Sequence, residues 1–173
     1  MAILVDHYSC LEYGTRIVLE INLKKNNDFD FCPNRADYLN WIPFEFILQI
    51  GENESYVYPE AFGATFSLEE LKYFFRGIEI LIQEIKSKDP DDEKILDPSK
   101  PTKVFRFYTL ETYFGIEFVD GYGGLIGVSV WVTIGLIPNW EGSGFKRGFS
   151  YTVNLVDLEK FKDELQKQLS LMI

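Results

Sequence analysis

Catalysis and metal binding both need side chains that can converge on one point, and this sequence supplies few of them. His7 is the only histidine, and Cys10 and Cys32 are the only cysteines. An imidazole titrates near neutrality and can act as a general base or a pH switch, but His7 lies in an N-terminal segment with neither helical nor strand pattern. A thiol nucleophile needs a neighbouring base or a helix start to generate its thiolate. Neither cysteine has either, so both read as packing or loop residues. No Cys/His zinc site can be assembled from this set. The reading therefore assigns no catalytic residue, no metal site and no cofactor.

Three local patterns imitate functional motifs and fail on spacing or context. Asp28-Phe29-Asp30 opens like a calcium loop, but the glycine and the closing glutamate that such a loop needs are missing at the right offsets. Gly142-Ser143-Gly144-Phe145-Lys146-Arg147-Gly148 resembles a phosphate-cradling loop, yet a strand follows it where a helix must supply amides and a dipole. Glu111 and Glu117 share a strand face but stand about 20 Å apart, too far for a pair of carboxylates acting on one bond. Asn53-Glu54-Ser55 matches a glycosylation sequon that carries no weight without a secretory signal.

Charge is more informative. The 173 residues include 17 basic and 27 acidic side chains, a net charge of -10. With no basic cluster longer than Lys24-Lys25 or Lys146-Arg147, the chain lacks the footprint of a nucleic-acid binder, and a basic protein is the complementary partner. No signal sequence opens the chain, because Asp6 and His7 interrupt Ala2 to Val5, and no apolar run approaches the roughly 20 residues of a membrane span. A cytoplasmic protein with reduced thiols is the expectation. The charge is also segregated. Between Arg35 and Lys72 there is no base, while Asp37, Glu45, Glu52, Glu54, Glu60, Glu69 and Glu70 fall inside; from Phe107 to Phe145 there is again none, with Glu111, Glu117, Asp120 and Glu141. These intervals either keep the protein soluble and blunt its sheet edges or form a docking surface. On the second reading the candidate contacts are Asp37, Glu45, Glu52, Glu54, Glu60 and Glu141, with Tyr122 and Trp140 as aromatic anchors. Trp41 serves equally as an anchor or as core.

Those residues must be positioned by strands and two helices. Thr15–Leu23 alternates with Ile17, Leu19, Ile21 and Leu23 on one side, and Trp41–Ile50 alternates with Ile42, Phe44, Phe46, Leu48 and Ile50 inward. Pro43 argues for an edge position. A third strand over Tyr56–Phe66 breaks near Pro59 to Gly63. Ser67-Leu68-Glu69-Glu70 is a capping box, and the helix it opens carries Leu68, Leu71, Phe75, Ile78, Ile82 and Ile85 on one stripe. Gly77 in that helix costs about 1 kcal/mol against alanine, which implies a close approach to the sheet. Ser87–Thr102 is a linker. Strands follow over Val104–Thr109, Thr112–Val119 and Leu125–Leu136, then a loop over Pro138–Gly148, a strand from Phe149 to Leu155, and a last helix capped by Asp157. The predicted architecture is one α+β domain over 1–173 with antiparallel strands in two halves, 15–86 and 103–171, joined by the linker 87–102. Each half is closed by a C-terminal amphipathic helix on the sheet. The joints Phe66–Lys72 and Val156–Lys162 are alike, which fits either an internal duplication or shared capping chemistry.

This order of features resembles the WapI-type immunity proteins, a bacterial family that neutralises toxin domains delivered by neighbouring cells. The likeness is carried by the first strand, by Asp37-Tyr38-Leu39-Asn40-Trp41-Ile42 and Phe66-Ser67-Leu68-Glu69-Glu70-Leu71, and by Phe105–Glu111, Leu125–Val132, Phe149–Val153 and the closing helix. Glu111-Thr112 departs from the Glu-Pro of the pattern, and the linker is long. The resemblance implies a cytoplasmic, non-enzymatic protein that binds a cognate toxin domain, of nuclease type, and blocks it; the charge and the lack of a long apolar run lead to the expectation that neither nucleic acid nor a membrane is a partner. Two other classes remain open: a small-ligand protein or enzyme with an aromatic-lined cleft, and a structural subunit of a larger assembly.

Overall fold

The computed structural model describes residues 1–6, 15–58, 63–87, 103–110, 113–121, 123–134 and 145–173. Two antiparallel sheets and two helices make up an α+β fold. The first sheet runs β1 (Ala2–Val5), β2 (Ile17–Leu23), β3 (Trp41–Ile50) and β4 (Glu54–Tyr58) in spatial order, and the short β5 (Thr65–Ser67) also pairs with β3. The second runs β6 (Val104–Tyr108), β7 (Phe114–Asp120), β8 (Leu125–Ile134) and β9 (Phe145–Asn154), each strand beside its neighbour in sequence. Helix α1 spans Leu68–Lys86 and helix α2 spans Leu155–Ser170.

Period-two alternation buries one face of each sheet. Ile17, Leu19, Ile21 and Leu23 of β2 and Ile42, Phe44, Phe46 and Leu48 of β3 are buried, as are Ile126, Val128, Val130 and Val132 of β8. Aromatic rings join the two faces: Phe114 of β7 stacks on Phe46 at 4.7 Å between centroids and meets Phe44 edge-on at 5.9 Å. The buried residues of both sheets and both helices form one cluster.

The capping box forms as the sequence indicates. The Ser67 hydroxyl accepts the Glu70 amide at 3.1 Å, and the Glu70 carboxylate accepts the Ser67 amide at 2.8 Å. Its second oxygen accepts the Leu110 amide at 2.7 Å, tying the start of α1 to the end of β6. Each half ends in a helix on a sheet, and the helices are exchanged. Helix α1 crosses to β6 and β7, where Phe74 meets Phe105, Phe107 and Phe118. Helix α2 returns to β1 and β2, where Gln168 Oε1 accepts the Leu23 amide at 2.8 Å. Between the helices, Lys162 pairs with Glu79 and Lys86 with Glu159.

Five sequence expectations are corrected in detail. Ala2–Val5, four apolar residues without a readable period, is a strand paired with Val18–Ile21. Pro43 sits on an interior strand. Its carbonyl faces the β2 side, where it accepts the Lys24 amide, so its donorless nitrogen also points there, just past the last ladder pair Leu23–Phe44. The third strand is two strands, β4 on Phe46–Ile50 and β5 on Trp41–Pro43. Lys146–Gly148, expected in a loop, belongs to β9, opposite Trp131–Thr133. The last helix begins at Leu155 with Asn154 as its N-cap, and Asp157 lies in its first turn. Most of the linker, 88–102, is outside the described residues, as are His7 and Cys10; Cys32 is an exposed free thiol.

Gly77 shows the close approach its position implied: a Cβ there would lie 2.0 Å from Cε2 of Phe105, whose ring is packed against Phe74 and Phe118. Gly77→Ala is expected to destabilise the protein by about 1–3 kcal/mol through overpacking, although alanine is the better helix former, and a urea titration would register it.

Two buried tyrosines set an alkaline limit. Tyr58 is raised above its ordinary value of 10.0, chiefly by burial, although a hydrogen bond to the Thr133 backbone pulls it down. Tyr151, fully buried, is raised further by burial, with a smaller push from Asp6. A phenol whose folded pKa exceeds its unfolded value contributes stability that is complete below about pH 10 and is lost as pH rises towards the folded value. The urea midpoint should therefore fall above pH 10. The Tyr151 hydroxyl has no hydrogen-bond partner among the described residues, so Tyr151→Phe should be neutral or stabilising at pH 7 and should flatten the alkaline slope.

Candidate partner-binding surface

Four of the eight candidate contacts lie within the described residues, and the fold separates them. Asp37 begins a single 3-10 turn, Asp37–Leu39, beside α1, and its carboxylate meets Lys72 of that helix at 2.5 Å. Glu45 alternates with the buried Phe44 and Phe46 and so lies on the outer face of the first sheet, 2.7 Å from Lys24 Nζ. Glu52 is exposed in the β3–β4 turn and has no ion-pair partner among the described residues. Glu54 opposes Ile50 and shares its parity with Tyr56 and Tyr58, so it belongs to the inner face. At the rim of that face it meets Arg147 of β9 at 2.8 Å. Glu60, Tyr122, Trp140 and Glu141 fall outside the described residues.

Three of these acids are thus paired with bases that lie outside the base-free interval. Their environments differ accordingly. Around Glu54, Arg147 lies over the Phe149 ring at 5.2 Å and the Tyr56 ring at 6.0 Å, and the Tyr56 hydroxyl donates to Glu54 at 2.5 Å. Burial, then that hydrogen bond, raises the Tyr56 phenol. This cluster braces one sheet against the other. A second brace is Tyr58, whose hydroxyl donates to the Tyr113 carbonyl at 2.7 Å, with the Thr133 carbonyl 3.2 Å away. In the β2–β3 connection, a hydrogen bond from Arg35 holds the Asp30 carboxyl below its usual range. Asp30 also bridges to Trp41 through the backbone, so this Asp-x-Asp segment is tied to β3. Among the described residues no group of three or more His, Cys, Asp and Glu side chains could hold a metal ion.

Two cross-strand surface rows emerge only from the strand register. Glu20 lies outside the base-free intervals, yet it stands on the outer face of the first sheet in a cross-strand row with Ile3, Ile47 and Val57. On the outer face of the second sheet the row is Tyr108, Gly115, Trp131, Gly148. Each glycine makes room for the aromatic ring beside it: a Cβ on Gly115 would fall 2.5 Å from Tyr108, and one on Gly148 2.8 Å from Trp131. The two rings stack at 6.3 Å with Lys146 Nζ 5.7 Å above Tyr108. Gly115 and Gly148 lie far from Trp131 in sequence, and only the register brings them beside the rings.

The chain matches the Immunity protein WapI-like family over residues 11–172, and it belongs to that family. Membership points to a toxin-neutralising immunity protein. None of the curated proteins compared matches the chain. No helix among the described residues is long and apolar enough to cross a membrane.

The Glu54–Arg147 pair is partly exposed, so solvent screens it. A double-mutant cycle of Glu54→Ala and Arg147→Ala is expected to give a coupling energy below about 1 kcal/mol in urea denaturation.

Proposed function

We propose that this chain is a non-catalytic immunity protein, acting in the cytoplasm as one α+β domain, that neutralises a basic, nuclease-type toxin by binding it directly. The observation that carries the proposal is the family match across 11–172. The net charge of -10 supports it, since an acidic surface steers a cationic partner into encounter and raises the association rate in a salt-dependent way. The contact surface draws on the acids Asp37, Glu45, Glu52, Glu54, Glu60 and Glu141 with Tyr122 and Trp140. Within it Glu52 is the cleanest probe, because its charge is not consumed by an internal pair, whereas reversing Glu54 would also disturb the brace to Arg147.

Co-expression with its cognate toxin domain should restore growth to cells that the toxin alone arrests. Growth arrest that persists despite soluble expression of both would refute the immunity role. In stopped-flow mixing the association rate should fall as salt rises, and Glu45→Lys with Glu52→Lys should slow it several-fold while dissociation changes less. Equal association rates for this variant and the parent would move the contact surface elsewhere.

A further inference from the structure

Strand β6 is an edge of the second sheet, pairing only with β7 among the described strands. The Asp120 amide donates to the Lys103 carbonyl and the Thr109 amide to the Phe114 carbonyl, so residues 103, 105, 107 and 109 make the ladder to β7. By the alternation of an antiparallel pair, the backbone amides and carbonyls of Val104, Arg106 and Tyr108 then point away from β7, into the open edge. Its five residues, Val-Phe-Arg-Phe-Tyr, carry no proline. The one charge, Arg106, turns back to Glu117 of β7. Among the described residues, then, neither a proline nor a free charge blunts this edge.

Beside this edge runs a groove of about 340 Å³ between α1 and β6, lined chiefly by Tyr73, Arg76, Ile80, Glu84, Val104 and Phe105. Tyr73 is 57% exposed and Ile80 45%, large apolar areas on the side of α1 away from its main buried stripe. Glu84 is taken by Lys103 at 3.2 Å, while Arg76 has no ion-pair partner among the described residues.

We propose that the β6 edge and this groove receive an extended segment of the cognate toxin, which adds a strand to the second sheet. This deepens the immunity reading and rests on it. Unpaired backbone groups at every second residue call for another backbone. Side chains of the incoming strand opposite Phe105 and Phe107 turn inwards, against Tyr73 and Ile80, so those positions are apolar. Arg76 at the same groove calls for an acidic residue beside them. A second copy of this chain fits less well. Each copy carries a charge of -10, and the two-fold antiparallel register that pairs all three open residues sets Arg106 opposite Arg106.

The test is hydrogen exchange on the wild-type protein, free and saturated with the catalytically inactivated cognate toxin domain identified by co-expression rescue. The amides of Val104, Arg106 and Tyr108 should exchange freely alone and become protected in the complex. Titration calorimetry of two variants isolates the backbone contribution. Arg106→Pro removes an edge-facing amide without touching the β7 ladder and should raise Kd tenfold or more, whereas Arg106→Ala, which loses the same ion pair but keeps the amide, should raise it less than threefold. Ile80→Lys should also weaken binding at least tenfold. Protection already present in the free protein would overturn the proposal, whether it persists on dilution, as for an intrachain cover, or vanishes, as for a second copy. A tight complex that leaves these amides unprotected would overturn it while leaving the immunity role standing. Absence of any complex would overturn the immunity role and this occupant together.

Discussion

The exchange of helices between the two sheets is the constraint on which the rest depends. A four- or five-stranded antiparallel sheet with one apolar face must cover that face, and the nearest cover in sequence is the helix that follows it. Here α1 leaves the first sheet and lies on β6 and β7, and α2 leaves the second and lies on β1 and β2. Each helix keeps contact with its own half but also covers part of the other's apolar face. The resulting core is continuous, with Phe114 lodged among Phe44, Phe46 and Phe66 where the sheets meet.

Polar groups at the junction are accommodated by partners drawn from the opposite half. Glu70 closes a capping box within its own helix and spends its remaining oxygen on the Leu110 amide. Tyr58 reaches the Tyr113 carbonyl, and Glu54 reaches Arg147. Each is a residue whose local role is complete without the other half, and each acquires a second role because the halves are interlocked. The same interlocking sets α1 beside β6, so that the helix both fills the core with Phe74 and Ile78 and leaves Tyr73 and Ile80 at the surface.

Local chemistry was legible in the sequence. The Ser67–Glu70 box depends on two residues three apart, the alternation in β2, β3 and β8 depends on neighbours, and Gly77 signalled close packing because nothing else rewards glycine inside a helix. What depended on distant residues was not legible. Pro43 looked like an edge residue, since sequence does not show that β2 ends one residue too early to need its amide. Asp157 looked like a cap, but the cap is Asn154, three residues sooner, and the helix begins at Leu155, whose amide donates to the Gly124 carbonyl. The base-free intervals were real along the chain, but Lys24, Lys72 and Arg147 reach the acids in space. The surface groove was half visible, because Tyr73, Gly77 and Ile80 recur at helical spacing off the main stripe, but the open strand beside them emerges only from the ladder.

The exchanged helices also govern the order in which the protein can become complete during synthesis. Strands β1 and β2 leave the ribosome long before their cover, α2. Until residues 155–170 appear, β1 and β2 present bare apolar surface, and the chain depends on contacts between segments far apart in sequence, which close slowly. A nascent chain stalled before Leu155 is therefore not a smaller version of the folded protein but a sticky one, exposed to chaperones and proteases, and functional molecules arise only from chains translated through Ser170.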